Sequence, residues 1–201
     1  SNYSIYGNRN FVFQYISEKY PNKIKWDSSK LKIYTIDIEV ASDDGFPNIR
    51  TATSSITALT VHNSIDDVYY VWGLGEYHSN DSEKKIKYFQ FDNERELLET
   101  FLNWWSEAPP HIITGWNCKF FDMPYLVNRF KCLELNWKHF SPIRTVMEKS
   151  VSIAGKENEY YNIIGISILD YIDLYRKFTY KVRESYRLDY IAELELGQAK
   201  H

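Results

Sequence analysis

The segment 31–40, Leu-Lys-Ile-Tyr-Thr-Ile-Asp-Ile-Glu-Val, constrains this chain more than any other. It is rich in β-branched residues and runs into the polar loop Ser42-Asp43-Asp44-Gly45, a combination that predicts a strand. In a strand, residues i and i+2 point to the same face. Ile36, Ile38 and Val40 therefore turn toward a core, while Asp37 and Glu39 stand side by side on the opposite face. Neighbouring carboxylates repel, and a cation between them relieves the cost. Hard-oxygen pairs of this kind suit Mg²⁺ or Mn²⁺, whereas an edge strand with two solvated acids is the ordinary alternative.

The remaining pattern predicts an α/β protein. Strands are expected over 54–62, 67–72 and 86–91, with 63–66 as a hairpin connection. A helix over 92–106, capped by Asp92, buries Leu97, Leu98, Phe101, Leu102 and Trp105, and Pro109-Pro110 ends it. A short buried strand, 111–114, leads to a helix that starts near Asp122 with Pro124 in its first turn and turns Leu126, Phe130 and Leu133 inward. Period-2 patterning over 145–168, on both sides of Gly155-Lys156-Glu157-Asn158, predicts a long β-hairpin. Asp170 caps a further helix, and a last one covers 186–196. Residues 1–29 are polar and aromatic, with Phe11, Tyr15 and Tyr20 able to line a short helix that stops at Pro21. They form an approach segment, and 30–201 the main domain.

Bulk properties narrow the function classes. At 201 residues and 44% hydrophobic, the chain can bury a sizeable core. A formal net charge of -3 argues against non-specific duplex binding, but metal-binding carboxylates depress this count until their ion arrives. Basic residues concentrate in 129–156 and 173–187, which could form one DNA-facing side or plain solvated surface. Cys118 and Cys132 have no paired spacing and read as reduced thiols of a cytoplasmic protein. No apolar run reaches the ~18 residues of a membrane span, so no membrane partner is expected.

The second chemical element is Gly115-Trp116-Asn117-Cys118-Lys119-Phe120-Phe121-Asp122. Glycine after a buried strand permits a sharp turn, and the dipole of the next helix favours an ionised Asp122. Such an acid is suited to complete a metal site with strand acids, although most aspartates at helix starts are plain caps.

Together, Asp-x-Glu in an early strand and Asn-x₃-Phe-Asp at a strand–loop–helix junction resemble the Exo I and Exo II motifs of DEDD exonucleases. The chain is more closely similar to family B DNA polymerases of T4-like phages. Phe-Asp-Asn-Glu-Arg (91–95), Thr-Gly-Trp-Asn (114–117), Phe-Asp-x-Pro-Tyr (121–125), Phe-Ser-Pro-Ile (140–143) and Ser-Ile-Leu-Asp-Tyr-x-Asp-Leu-Tyr-x-Lys-Phe (167–178) carry that resemblance over roughly 30–200. It implies a ribonuclease H-like mixed sheet flanked by helices, with an inserted β-hairpin. It also implies the proofreading 3′–5′ exonuclease of a DNA polymerase, acting on single-stranded DNA or a frayed primer 3′ end within the host-cell cytoplasm. Two divalent metal ions, Mg²⁺ or Mn²⁺, would be held by Asp37, Glu39 and Asp122, the catalytic acids. Asp37 would bridge both ions, with Glu39 on the water side and Asp122 on the leaving-oxygen side. Asn117, Phe121 and Trp116 would contact DNA, and the hairpin at about 146–164 would help separate strands. Residues 1–29 would belong to the polymerase N-terminal region, and the other polymerase domains would be partners.

One part of the pattern departs. The family's Exo III motif is Tyr-x₃-Asp, whereas this chain offers Tyr186-Arg187-Leu188-Asp189, one residue too short. Asp189 therefore reads as a helix-start residue, and the fourth acid is expected beyond His201. No Asp-Thr-Asp-Ser-like palm motif occurs either, so a fragment with weak or no activity of its own is expected. The alternatives are a freestanding DEDD exonuclease with Asp189 as fourth acid, and a non-catalytic nucleic-acid-binding module.

Overall fold

The strand carrying the two acids forms as β1 (Ile33–Val40), and its burial alternates as period 2 requires. Tyr34, Ile36 and Ile38 are buried, while Thr35, Asp37 and Glu39 share the exposed face. This is a computed structural model, and it describes residues 11–23, 25, 27–42, 45–78, 84–153 and 155–197. Asp43, Asp44 and residues 1–10 of the approach segment lie outside the described residues.

β1 pairs antiparallel with β2 (Ile56–Asn63), which pairs antiparallel with β3 (Val68–Leu74). β4 (Ile86–Phe91) adds parallel to β3. On the other side of β1, β5 (Ile112–Thr114) pairs parallel, and the two-residue β8 (Ser167–Ile168) extends the sheet beyond it. The order is β4-β3-β2-β1-β5-β8. The β2–β3 turn is displaced by a residue from 63–66, because Asn63 still pairs with Val68 and its Oδ1 accepts from Ile65 N.

Helix α2 (Glu94–Glu107) is capped by Asn93, not Asp92: Asn93 Oδ1 accepts from Glu96 N at 3.0 Å, the three-residue reach an N-cap needs. Its apolar stripe packs on the buried sheet face, with Trp105 edge-on to Tyr34 and Phe101 edge-on to Trp72. Helix α3 (Asp122–Cys132) is buried well beyond the expected stripe, with Met123, Tyr125 and Val127 fully enclosed as well as Leu126 and Phe130. Phe140, in a short 3₁₀ turn, packs against Phe101, Trp105 and Phe130, and its carbonyl accepts from Trp105 Nε1.

A buried ion pair ties these layers together. Arg129 of α3 meets Glu94 of α2 through two N–H donors. The same guanidinium donates to the carbonyls of Ala52 and Thr53 and to Ser55 Oγ, while Glu94 Oε1 accepts from Ile56 N. Arg129 is therefore a structural cation. It does not belong to a DNA-facing surface, as its place in the basic stretch 129–156 allowed.

The hairpin forms from β6 (Val146–Ile153) and β7 (Lys156–Ile163) in continuous antiparallel register. Its turn is two residues tighter than the 155–158 connection, because Lys156 already pairs with Ile153. Most of β6 is exposed, so the ribbon projects, whereas Tyr161 and Ile163 bury its base. Helix α4 (Tyr171–Phe178) is capped by Asp170, and α5 (Leu188–Leu196) starts two residues later than 186. Arg187 is still extended there, and the Tyr186 carbonyl is occupied by the Trp116 indole N–H.

Residues 1–30 and 31–201 are two compact units. Helix α1 (Phe11–Lys19) lies in the first and ends before Pro21, with Tyr15 and Tyr20 exposed. The larger unit is the mixed α/β arrangement of a ribonuclease H-like fold. No described helix is long and apolar enough to cross a membrane.

Removing one member of a buried ion pair leaves an uncompensated charge and costs about 3–5 kcal/mol. Arg129→Met is expected to lower the melting temperature by roughly 6 °C or more, at about 2–4 °C per kcal/mol for a chain of this size. Calorimetric unfolding checks this, and an unchanged melting temperature would contradict it.

Candidate active site

The pairing of β1 with β5 ends at Thr35 and Thr114, so the β5 side of β1 is open from Ile36 onward. Gly115 turns the chain there. A Cβ at this position would lie 2.6 Å from Ile36 O, so only glycine permits the approach. Further along the same edge, Asp122 Oδ1 accepts from Ile38 N at 3.1 Å. The Exo II-like aspartate thus takes the place of a missing strand beside β1, directly between the positions of Asp37 and Glu39.

Asp122 is 3% exposed. Burial, and then the neighbouring charge of Asp37, push its carboxyl up to about 7, against the pull of its own and the Ile38 backbone N–H. Asp170 adds a weaker repulsion. Asp37 and Asp122 are therefore brought together as mutually repelling acids. Glu39 shares the Asp37 face of β1 but is not among the groups that raise Asp122. Among the described residues, no group of three or more His, Cys, Asp or Glu side chains is arranged to hold a metal ion as it stands. The oxygen-only donors and the repulsion at Asp122 nevertheless fit a hard divalent cation, which lowers a coordinating carboxyl's affinity for protons.

The loop before Asp122 is held by a residue read from sequence only as a helix cap. Asp170 Oδ1 accepts from Asn117 N and from Ile172 N, and its Oδ2 accepts from Lys119 N. One buried carboxylate thus caps α4 and fixes the 117–119 backbone. Asn117 sits there in the left-handed region, φ 65°, which asparagine tolerates better than most residues. Its carbonyl accepts from Phe120 N and Phe121 N, closing the turn into α3.

Two open clefts flank this loop. The first, about 370 Å³, is walled by Phe46, Phe121, Asn117 and, from the hairpin, Ile153 and Asn158. Phe46 is 82% exposed, with its ring centroid 5.3 Å from that of Phe121. The second, about 760 Å³, lies on the Trp116 side and includes Tyr186, Arg187 and Asp189. Trp116 is wedged beside Tyr171 and Tyr175 and donates to Tyr186 O. Asn117 borders both clefts, whereas Phe121 and Trp116 each face one. Asp189 lies in the first turn of α5, 3.4 Å from Arg187.

Sequence reasoning missed Phe46, whose signal was an aromatic between Gly45 and Pro47 in an otherwise polar loop. It also missed the loop-holding role of Asp170, for which no local signal exists, since the partners lie 51–53 residues away.

The raised Asp122 carboxyl has a defined stability signature. An aspartate whose folded-state value exceeds its ordinary 3.8 supports folding when protonated, and that support is lost as pH rises toward about 7. In EDTA, stability is expected to fall by up to ~4 kcal/mol across this window, and Asp122→Asn is expected to flatten the dependence. Denaturant melts between pH 4 and pH 8 check this. A profile that Asp122→Asn leaves unchanged would contradict it.

A family model for the exonuclease domain of DNA polymerase family B matches residues 5–191. The DNA-directed DNA polymerase of Escherichia phage RB69 is 39% identical over 96% of this chain, and that of Enterobacteria phage T4 is 35% identical over the same share. The DNA polymerase delta catalytic subunit of Candida albicans is 27% identical over 90% of the chain. The chain spans 24% of the length of each phage relative and 18% of the yeast one. With nearly its whole length matched, and an Asp-x-Glu strand meeting the Asp122 loop at one sheet edge, the chain belongs to the exonuclease domain family of family B DNA polymerases.

Proposed function

We propose that this domain is the proofreading 3′–5′ exonuclease of a longer family B DNA polymerase. In this reading it hydrolyses the 3′-terminal phosphodiester of single-stranded DNA or a frayed primer end, inside the host cell. The observation that carries the reading is the seat of Asp122. A carboxylate whose proton affinity is raised by burial, and then by Asp37, sits on the open edge of the strand that presents Asp37 and Glu39.

Asp37, Glu39 and Asp122 would hold two divalent ions, Mg²⁺ or Mn²⁺. Bound there, the ions would supply electrostatic stabilisation of both the attacking and the departing oxygen of an in-line displacement. The protein's own task is positioning. Phe46 and Phe121 offer ring faces to unpaired bases, whose stacking tolerates any sequence. Asn117, held by Asp170, borders the same cleft. Trp116 serves the strand from the second cleft.

The hairpin reading as a strand separator draws support from its attachment. Tyr160 of β7 packs edge-on to Phe120, and Lys119 Nζ lies over both rings. Arg50 reaches Glu159 through two N–H donors, joining β7 to the segment that follows Phe46. A projecting ribbon fixed at the rim of the cleft can bar a duplex while admitting a single strand.

Binding of a 3′-hydroxyl oligothymidylate, followed by fluorescence anisotropy, tests the reading. Mn²⁺ is expected to tighten binding about tenfold over EDTA, equivalent to about 1.4 kcal/mol. Asp37→Asn and Asp122→Asn are each expected to remove that gain, and any shortening of the strand should proceed from its 3′ end. Binding indifferent to Mn²⁺ and to both substitutions would contradict the reading.

A further inference from the structure

Arg176 stands where the two clefts meet, lining both together with Asn117 and Ile172. Its guanidinium carbon lies 4.3 Å from the centroid of the Tyr186 ring. A cation–π contact of this kind engages the ring face and uses none of the guanidinium's N–H donors in a conventional hydrogen bond. The neighbouring cations are engaged differently. Arg183 is bound to Tyr175 and Glu195, Arg187 pairs with Asp189, and Lys119 lies near Asp173. Among the described residues, no carboxylate or other hydrogen-bond acceptor takes the donors of Arg176. A guanidinium seated over a ring and exposed, with no acceptor among the described residues, can receive an anion. Its planar fork matches a phosphate.

The larger cleft beyond Arg176 has apolar walls from Trp116, Ile172 and Leu188, with the Arg187–Asp189 pair at its edge. Its size, about 760 Å³, lies within the range of ligand clefts. We propose that this cleft is a second nucleotide subsite on the path of the single strand, and that Arg176 binds the phosphodiester passing between the two clefts. This inference rests on the nuclease reading, which supplies the strand. The ligand is single-stranded DNA: a base against the apolar walls and a phosphate on the guanidinium.

The test is anisotropy of a fluorescent hexathymidylate with this chain in Ca²⁺, at several salt concentrations. Arg176→Ala is expected to weaken binding about 5–10-fold at low salt and to reduce the slope of log K against log salt by about 0.7, the loss of one single-strand phosphate contact. Arg176→Lys should keep the slope, because the charge remains. Arg176 is exposed, so the thermal melt of either variant should match that of the parent chain. If Arg176→Ala leaves affinity and slope unchanged while Phe121→Ala weakens binding, the second subsite is refuted and the nuclease reading stands. If the hexamer does not bind, or binds without regard to Phe121→Ala as well, the nuclease reading falls and takes this inference with it.

Discussion

A single side-chain-to-backbone hydrogen bond organises the functional end of this domain. Asp122 reaches the Ile38 N–H at the edge of β1 that β5 has left open. An unpaired strand edge must be satisfied by something. Here the partner is a carboxylate at a helix start, and the bond fixes α3 against the strand that displays Asp37 and Glu39. The same contact buries the acid beside another acid, which raises its proton affinity. Structure and charge frustration come from one interaction, and a divalent cation bound there would resolve the frustration.

The supports lie farther out. Asp170 holds the turn at Asn117, so two aspartates, Asp170 and Asp122, fix the seven residues between β5 and α3. Behind them, the Glu94–Arg129 pair locks α3 to α2 and to the backbone entering β2. Tyr125 OH and Asn128 Nδ2 add bonds to Ser54 O and Ile49 O. One face of α3 thereby grips the segment that follows the Phe46 loop, while its first residue faces β1. Core order and site order are continuous, consistent with sites built on rigid elements rather than on free loops.

Much of this was legible because local rules sufficed. The alternation of β1, the apolar stripe of α2, the cap at Asp170 and the hairpin periodicity all follow from spacing, and the family motifs joined Asp37 to Asp122 across the chain. Boundaries shifted where two residues could play one part, as Asp92 and Asn93 could at the start of α2. What stayed hidden was long-range: the second role of Asp170, the burial of Arg129 inside a stretch that reads as basic surface, and the Arg176 stack on Tyr186. Each depends on a partner brought near only by the fold. Nothing in the residues flanking Arg129 distinguishes a cation destined for a buried carboxylate from one destined for phosphate.

Asp37, Glu39 and Asp122 are proposed to form a two-ion site at the open edge of β1. Anomalous diffraction from crystals of this chain grown with Mn²⁺ tests it most directly. Two peaks are expected about 3.5–4 Å apart, with carboxylate oxygens of Asp37 and Asp122 about 2–2.5 Å from an ion. Mn²⁺ peaks elsewhere, with none in coordinating reach of Asp37 or Asp122, would contradict it.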